Sequence, residues 1–198
     1  MVRVLEVNNF RDGVGRKWVH LLKASLSANG VRPDVIGWEG CSEAKFGRYD
    51  GVVLSGSEAM VSDERTVKLF SRELDALRDS STPVLGICFG HQLLCRAFGS
   101  KVVRSAKPIE RFVETEVVAP DPIFEGIPRK MGVFEAHYEV VDSVPSGFKL
   151  LARSPTSTVG AVRHRKRPLY GVQFHPERNS SLHPDGSAVM ANFVRSIS

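Results

Sequence analysis

Within the 198-residue chain, the segment Pro83-Val84-Leu85-Gly86-Ile87-Cys88-Phe89-Gly90-His91-Gln92-Leu93-Leu94 sets one cysteine between two glycines, each two residues away. An apolar, strand-like run leads into Gly-x-Cys-x-Gly, and a helix-like run leaves it. Glycines at those places allow a tight strand-to-helix turn that holds the central residue strained, where flanking side chains would collide. Cys88 is then pushed out at the carboxyl end of a strand. The start of the following helix directs free N–H groups and partial positive charge at the sulfur, favouring thiolate and later stabilising an oxyanion. Cys41 and Cys95 lack such flanks and read as buried structural thiols.

A cysteine nucleophile usually works with a histidine. His91 and His137 are the first to consider; His91 falls within the helix after the turn, pointing away from the thiol, which suits a structural or pocket-shaping role. The alternative is Tyr170-Gly171-Val172-Gln173-Phe174-His175-Pro176-Glu177, where a strand ends on a histidine and the next residue but one is a carboxylate. Proline fixes the chain between them. His175 could take the thiol proton while Glu177 holds the imidazole in the right tautomer.

These residues need strand ends to carry them, and the surrounding pattern supplies them. Val2 to Val7 reads as a strand, and Lys17 to Asn29 as a helix with Trp18, Leu21, Leu22 and Leu26 at helical spacing before Gly30. Further strands are expected near Arg32 to Ile36, at Gly51 to Leu54 and at Val84 to Ile87. Ser62, followed by Asp63 and Glu64, offers an N-cap for one helix running to about Asp79. Strands that are continuous apolar runs, alternating with helices, predict a doubly wound, mostly parallel α/β sheet with helices on both faces. From about Lys101 the pattern changes to short β-branched runs: Lys101 to Val103, Glu114 to Val118, Leu150 to Ala152, Thr158 to Val162 and Leu169 to Val172. These read as sheet extensions and antiparallel hairpins. A last helix, Gly186 to Ile197, sets Val189, Phe193 and Ile197 on one stripe facing the sheet. No repeat or linker interrupts the chain, so a single domain over residues 1–198 is expected.

Hydrophobic and charged shares of 42% and 25% disfavour disordered and fibrous classes. An odd cysteine count of 3 without framework spacing, no leader-like segment, and no apolar stretch near the roughly 20 residues of a membrane helix point to a soluble protein of the reducing cytoplasm. A formal charge of +5 raises nucleic acid as a partner, but the basic residues are scattered without interleaved aromatics, and neither nucleic acid nor membrane is expected. The one dense run, Arg163-His164-Arg165-Lys166-Arg167 before Pro168, reads as an exposed hairpin turn.

The two chemical segments together resemble the class I glutamine amidotransferases, marked by Gly-x-Cys-x-Gly-x-Gln and, far downstream, Gly-x-Gln-x-His-Pro-Glu, both complete here. The likeness extends to Asp121-Pro122-Ile123-Phe124-Glu125-Gly126-Ile127-Pro128 and to the closing helix from Gly186 to Phe193. Val133-Phe134-Glu135-Ala136-His137-Tyr138, with Val144-Pro145 beyond it, looks closer to the amidotransferase of GMP synthase than to that of anthranilate synthase. The resemblance implies a flavodoxin-like fold and a triad of Cys88, His175 and Glu177. It makes Gln92 a contact to bound glutamine and sets Ala136, His137 and Tyr138 around its amino-acid end. The oxyanion hole would take the backbone N–H of Phe89 and one from Gly56 or Ser57, in Leu54-Ser55-Gly56-Ser57-Glu58. No metal or cofactor is implied. The chain has no Gly-x-x-x-x-Gly-Lys-Ser/Thr loop, so the ammonia acceptor would be a partner, by resemblance the ATP-using synthetase subunit that converts XMP to GMP.

Three segments depart from the family's usual pattern. Ser57 and Glu58 stand where a second glycine and a proline are common, and a Gly-Ser loop with Cys-Phe-Gly-His-Gln also resembles the γ-glutamyl peptidases. The alternative function is therefore a stand-alone γ-glutamyl peptide hydrolase. Arg178-Asn179-Ser180-Ser181-Leu182-His183-Pro184-Asp185 is longer and more polar than its counterpart and reads first as a variable surface loop, second as part of a partner interface. Asn8-Asn9-Phe10-Arg11-Asp12-Gly13-Val14-Gly15 differs too and is expected near the substrate pocket.

Overall fold

A computed structural model of the chain describes residues 2–11 and 15–198. Along the chain run β1 (Val4–Asn8), α1 (Arg16–Ala28), β2 (Asp34–Gly37), α2 (Glu43–Phe46), β3 (Gly51–Leu54), α3 (Glu64–Leu69), α4 (Ser71–Asp79), β4 (Val84–Ile87) and α5 (Phe89–Ala97). The second half holds β5 (Val102–Val117), β6 (Lys130–Val141), β7 (Phe148–Arg153), β8 (Ala161–His164), β9 (Leu169–Val172) and α6 (Asp185–Ser196). Among the described residues, these nine strands join one sheet in the order β2-β1-β3-β4-β9-β8-β7-β5-β6. The pairings from β2 to β9 are parallel, and those from β9 to β6 antiparallel.

β3, β4 and β9 are buried along their whole length, as strands covered on both faces are, which is why each is an apolar run. Alternate residues of β1, β3 and β4 divide between two cores. Leu5, Val7, Val52, Leu54 and Val84 pack with Leu74 and Leu77 of α4 and Leu93 and Leu94 of α5. Val4, Val53, Leu85 and Ile87 pack on the other side with Leu22 and Leu26 of α1 and Val189 and Phe193 of α6. The doubly wound expectation therefore holds, and the hairpins of the second half prove continuous with the same sheet.

Some expected elements take a different form. The helix expected from Ser62 to Asp79 is two helices, and Asp63 rather than Ser62 caps the first, accepting from Arg65 N at 2.9 Å. Phe70 leaves helical geometry between them and buries its ring between Trp38 and Phe89, with centroids 4.8 and 4.9 Å away. The runs Lys101 to Val103 and Glu114 to Val118 belong to one long strand, β5, whose register against β6 shifts between Arg104 and Ile109. β6 itself did not read as a strand. Its buried face carries Met131, Val133, Glu135, His137, Glu139 and Val141, so acids and a histidine interrupt the apolar alternation.

The basic run does form the turn between β8 and β9, but two of its cations serve the fold. Arg163 pairs with Asp121 at 3.0 Å, and Arg167 donates to the carbonyls of Arg78 and Ser80 at 2.6 and 3.2 Å. Among the described residues, no helix is long and apolar enough to cross a membrane.

Candidate functional site

The carboxyl ends of β3, β4 and β9 lie side by side, and each passes into one piece of the site. Cys88 follows β4, its N–H donating to Val172 O of β9 at 2.8 Å. Its φ is 50° and ψ −100°, and it is the one non-glycine residue with positive φ among those described. Strain of this kind persists only where surrounding packing dictates it. The glycines explain the dictation: a Cβ on Gly86 would lie 2.5 Å from Gly90 O, and one on Gly90 would lie 2.7 Å from Leu54 Cβ and 2.8 Å from Leu54 O. α5 thus starts so close to β3 and β4 that only hydrogen fits at either position.

His175 follows β9 and is anchored by its N–H to Phe134 O of β6 at 2.7 Å. Pro176 turns the chain, Arg178 N donates back to His175 O at 3.0 Å, and the buried Glu177 carboxylate meets His175 Nδ1 at 2.7 Å. Burial works against a charged imidazole, but the Glu177 carboxylate and then the nearby Cys88 sulfur outweigh it, raising His175 well above its ordinary value. The second ring nitrogen, Nε2, is buried and has no hydrogen-bond partner, which leaves it free to exchange a proton. Contacts of this type commonly tighten only when substrate arrives.

Gly56 follows β3 and faces this pair: a Cβ there would lie 3.1 Å from His175 Cε1 and 3.9 Å from Cys88 Cβ. Ser57 carries its side chain without a positive φ, and its hydroxyl donates to Asn9 O at 2.8 Å, bracing the loop. Glu58 pairs with Arg11 at 2.8 Å. That pair ties the early loop to the site as the sequence suggested; Asp12, Gly13 and Val14 of the same loop lie outside the described residues.

A cavity of about 140 Å³ opens at Cys88, bordered by Ser57, Gln92, Ala136, His137 and Tyr138, with Glu58 and Glu139 also lining it. Gln92 Nε2 donates to Glu139 O at 2.8 Å. The Cys88 thiol points to Ala136 O at 3.5 Å. The His137 ring is turned into the protein, its Nε2 2.8 Å from Glu135 Oε2, so it borders the cavity without presenting a free imidazole. Tyr138 is 61% exposed at the rim. A wider groove of about 690 Å³ between Val117 and Arg129 brings neither cysteine nor histidine to its walls.

His91 behaves as its place in the helix suggested. It is fully buried, with Nε2 3.1 Å from Val159 O, and burial depresses its pKa to about 3. Cys41 and Cys95 are buried, and desolvation pushes both thiols up. Two participants were not given a role from the sequence. Gln173 directs Nε2 at the Cys88 sulfur, 3.7 Å away. Glu139 is gripped by the backbone and hydroxyl of Ser62 across 77 residues of chain. Polar residues at every second position, Glu135, His137 and Glu139, were the available sign of a strand face buried against polar partners. Among the described residues, no group of three or more His, Cys, Asp or Glu is arranged to hold a metal ion.

Residues 14–197 match the family described as glutamine amidotransferase class-I. A glutamine-hydrolysing GMP synthase subunit of Pyrococcus furiosus is 36% identical over 182 residues, covering 91% of this chain and 94% of the relative. The protein of the same description from Thermococcus kodakarensis is 38% identical over 181 residues, covering 91% and 93%. Among solved structures, a candidate GMP synthase subunit from Thermoplasma acidophilum superposes with a TM-score of 0.85 at 30% identity, covering 100% of this chain and 94% of that one. The chain belongs to the class-I glutamine amidotransferase family.

Proposed function

We propose that this enzyme hydrolyses glutamine at Cys88, with His175 as base and Glu177 as the group orienting it, and passes the ammonia to a synthetase subunit that makes GMP from XMP. The observation that carries the first half is Cys88 held at φ 50° beside a buried His175–Glu177 pair. The Cys88 thiolate attacks the side-chain amide carbon of glutamine, and the carbonyl electrons move onto oxygen. The backbone N–H of Phe89 and one from Gly56 or Ser57 receive that oxyanion. His175 gives its proton to the departing nitrogen, ammonia leaves, and a γ-glutamyl thioester remains on Cys88. Water, deprotonated by His175, adds to the thioester and releases glutamate and the thiolate.

Gln92, Ala136, His137 and Tyr138 border the cavity at Cys88; Gln92 is assigned as a contact to bound glutamine, and Ala136, His137 and Tyr138 to its amino-acid end. The acceptor assignment rests on the relatives, which are described as glutamine-hydrolysing GMP synthase subunits. A cytoplasmic place follows from that assignment. The Cys88→Ala protein is expected to lose glutaminase activity by on the order of 10⁶-fold, as for removal of a triad nucleophile. Retention of more than about a thousandth of the wild-type rate overturns the triad.

The second reading, hydrolysis of γ-glutamyl peptides without a partner, draws on the Glu58–Arg11 pair at the cavity, where the family commonly has proline. Rates on γ-glutamyl dipeptides and on glutamine, compared for the chain alone, separate the two.

A further inference from the structure

The segment from Arg178 to Asp185, which the sequence presents as a variable loop, is pinned at both ends by ring stacking. The Arg178 guanidinium lies 3.3 Å from the centre of the Trp18 ring of α1 and 5.4 Å from that of Phe134 on β6. Phe134 meets Phe112 of β5 edge-on at 5.1 Å, and Phe112 stacks on His183 at 4.2 Å and 24°. Room for the His183 ring comes from Gly132, where a Cβ would lie 2.6 Å from its Nδ1. The stack therefore runs from α1 across the end of the sheet and back into the loop. The residues between the two stacking points, 179–182, are exposed, Leu182 to 84%.

This stack meets the proposed triad at two points. Arg178 is the residue after Glu177, and its N–H closes the turn onto His175 O. Phe134 supplies the carbonyl that anchors His175 N. A planar guanidinium stacks on aromatic faces in a way that a lysine ammonium cannot reproduce, and half-buried cation–π contacts hold a side chain firmly.

We infer that Arg178 is a positioning residue for the triad: clamped between Trp18 and Phe134, it fixes the His175–Glu177 turn against β6 and sets a permanent positive charge beside it. The inference rests on the triad reading given above. The charged and titratable groups around the clamp are Glu177 and His175 in its own turn, Cys88 at the elbow, Glu110 on β5, Lys17 on α1 and Glu6 on β1, with His183 at the far end of the stack. Removing the guanidinium takes a positive charge away from Glu177 and Cys88, the two groups that favour charged His175, so the imidazolium becomes more favoured.

The test is glutaminase kinetics of the full chain with Arg178→Met, Arg178→Lys and Trp18→Leu. Arg178→Met is expected to lower kcat by on the order of tenfold or more with little change in KM, the cost of a displaced catalytic group. It also moves the alkaline limb of the pH profile upward. Arg178→Lys is expected to restore the limb while leaving kcat low, because it returns the charge without the stack. Trp18→Leu lowers kcat with the limb unchanged, and its effect is not additive with that of Arg178→Met. Should Arg178→Met fail to fold, Arg178→Lys and Trp18→Leu decide the matter through the same two readouts. Wild-type kcat and an unmoved limb in the folded variants overturn the inference, as does a loss confined to thermal stability. Labelling of Cys88 by an electrophilic glutamine analogue separates the two levels. Labelled wild-type protein with indifferent Arg178 variants removes only this inference, whereas unlabelled wild type together with an active Cys88→Ala protein removes the triad reading beneath it.

Discussion

At the scale of single residues, the site is governed by two departures from ordinary behaviour: a cysteine at positive φ and a histidine whose pKa is raised although it is buried. Both have sharp consequences. The elbow depends on the absence of a Cβ at Gly90, where the clash would be with the Leu54 backbone as well as its side chain. Backbone cannot rotate aside, so Gly90→Ala is expected to cost about 3 kcal/mol, the upper end for overpacking. For a chain of this size that lowers Tm by roughly 6–12 °C, checked by thermal unfolding. A Tm within a degree of wild type contradicts the close approach. The second consequence concerns pH. Burial alone would lower the His175 pKa, and Glu177 is the main group that reverses it, with Cys88 next, to give about 10. A raised folded-state value means that the imidazolium stabilises the fold fully below the ordinary 6.5 and ceases to do so as pH rises through about 10. Glu177→Gln removes the reversing charge. The alkaline limb of its residual glutaminase activity is expected to fall toward or below the ordinary histidine value, and kcat to drop by roughly 10⁴-fold, as when the orienting acid of a triad is lost. An unmoved limb assigns it to some other group.

At the scale of elements, β1 carries an anomaly of its own. Glu6 is fully buried, with Val35 and Val53 beside it on the neighbouring strands, and neither carboxylate oxygen has a hydrogen-bond partner. Burial raises its pKa to about 8, partly countered by Lys23 and reinforced by Glu177. Since the folded state holds this proton more tightly than the unfolded chain, its stabilising effect is complete below about 4.5 and is lost as pH rises through about 8. Glu6→Gln does not titrate. Its Tm relative to wild type is expected to become steadily more favourable between pH 5 and pH 9, and a constant difference over that range counts against a buried, unpaired acid. Three other strands show what the sequence discloses. Gly51–Leu54, Val84–Ile87 and Leu169–Val172 are strands with the limits read from sequence, because a strand buried on both faces is a local apolar run. β6 escaped because Glu135 and Glu139 occupy buried positions and draw on partners remote in the chain, Ser154 and Thr156 for the first and Ser62 for the second. The break at Phe70 escaped because its cause, Trp38 and Phe89, lies on other elements. Cys88, His175 and Glu177 sit in short motifs and were legible. The Glu58–Arg11 pair and the Trp18–Arg178 clamp join remote stretches of chain, so nothing local announces them.

At the scale of the whole molecule, the question is where the ammonia goes. The parallel strands deliver Cys88, His175 and Gly56 to one edge of the sheet, with a small cavity at that edge and the exposed Tyr138 at its rim. Free ammonia released there would take a proton from water and lose its nucleophilicity, so a chain that feeds a synthesis has to release it inside an assembly. The sequence offers no phosphate-cradling Gly-x-x-x-x-Gly-Lys-Ser/Thr loop with which to activate an acceptor. On the function proposed above the activating machinery is carried by a second chain, and the relatives described as GMP synthase subunits name the chemistry to try. Mixed with the XMP-using, ATP-dependent synthetase of the same source, the protein is expected to give glutamine-dependent GMP formation, and the synthetase to raise its glutaminase rate. With Cys88→Ala in its place, GMP is expected only when an ammonium salt replaces glutamine, since the acceptor chemistry is untouched and the donor is lost. If instead glutamine yields no GMP while ammonium does, and the chain alone cleaves γ-glutamyl dipeptides faster than glutamine, then the Ser57–Glu58 loop marks a hydrolase whose ammonia is captured by nothing.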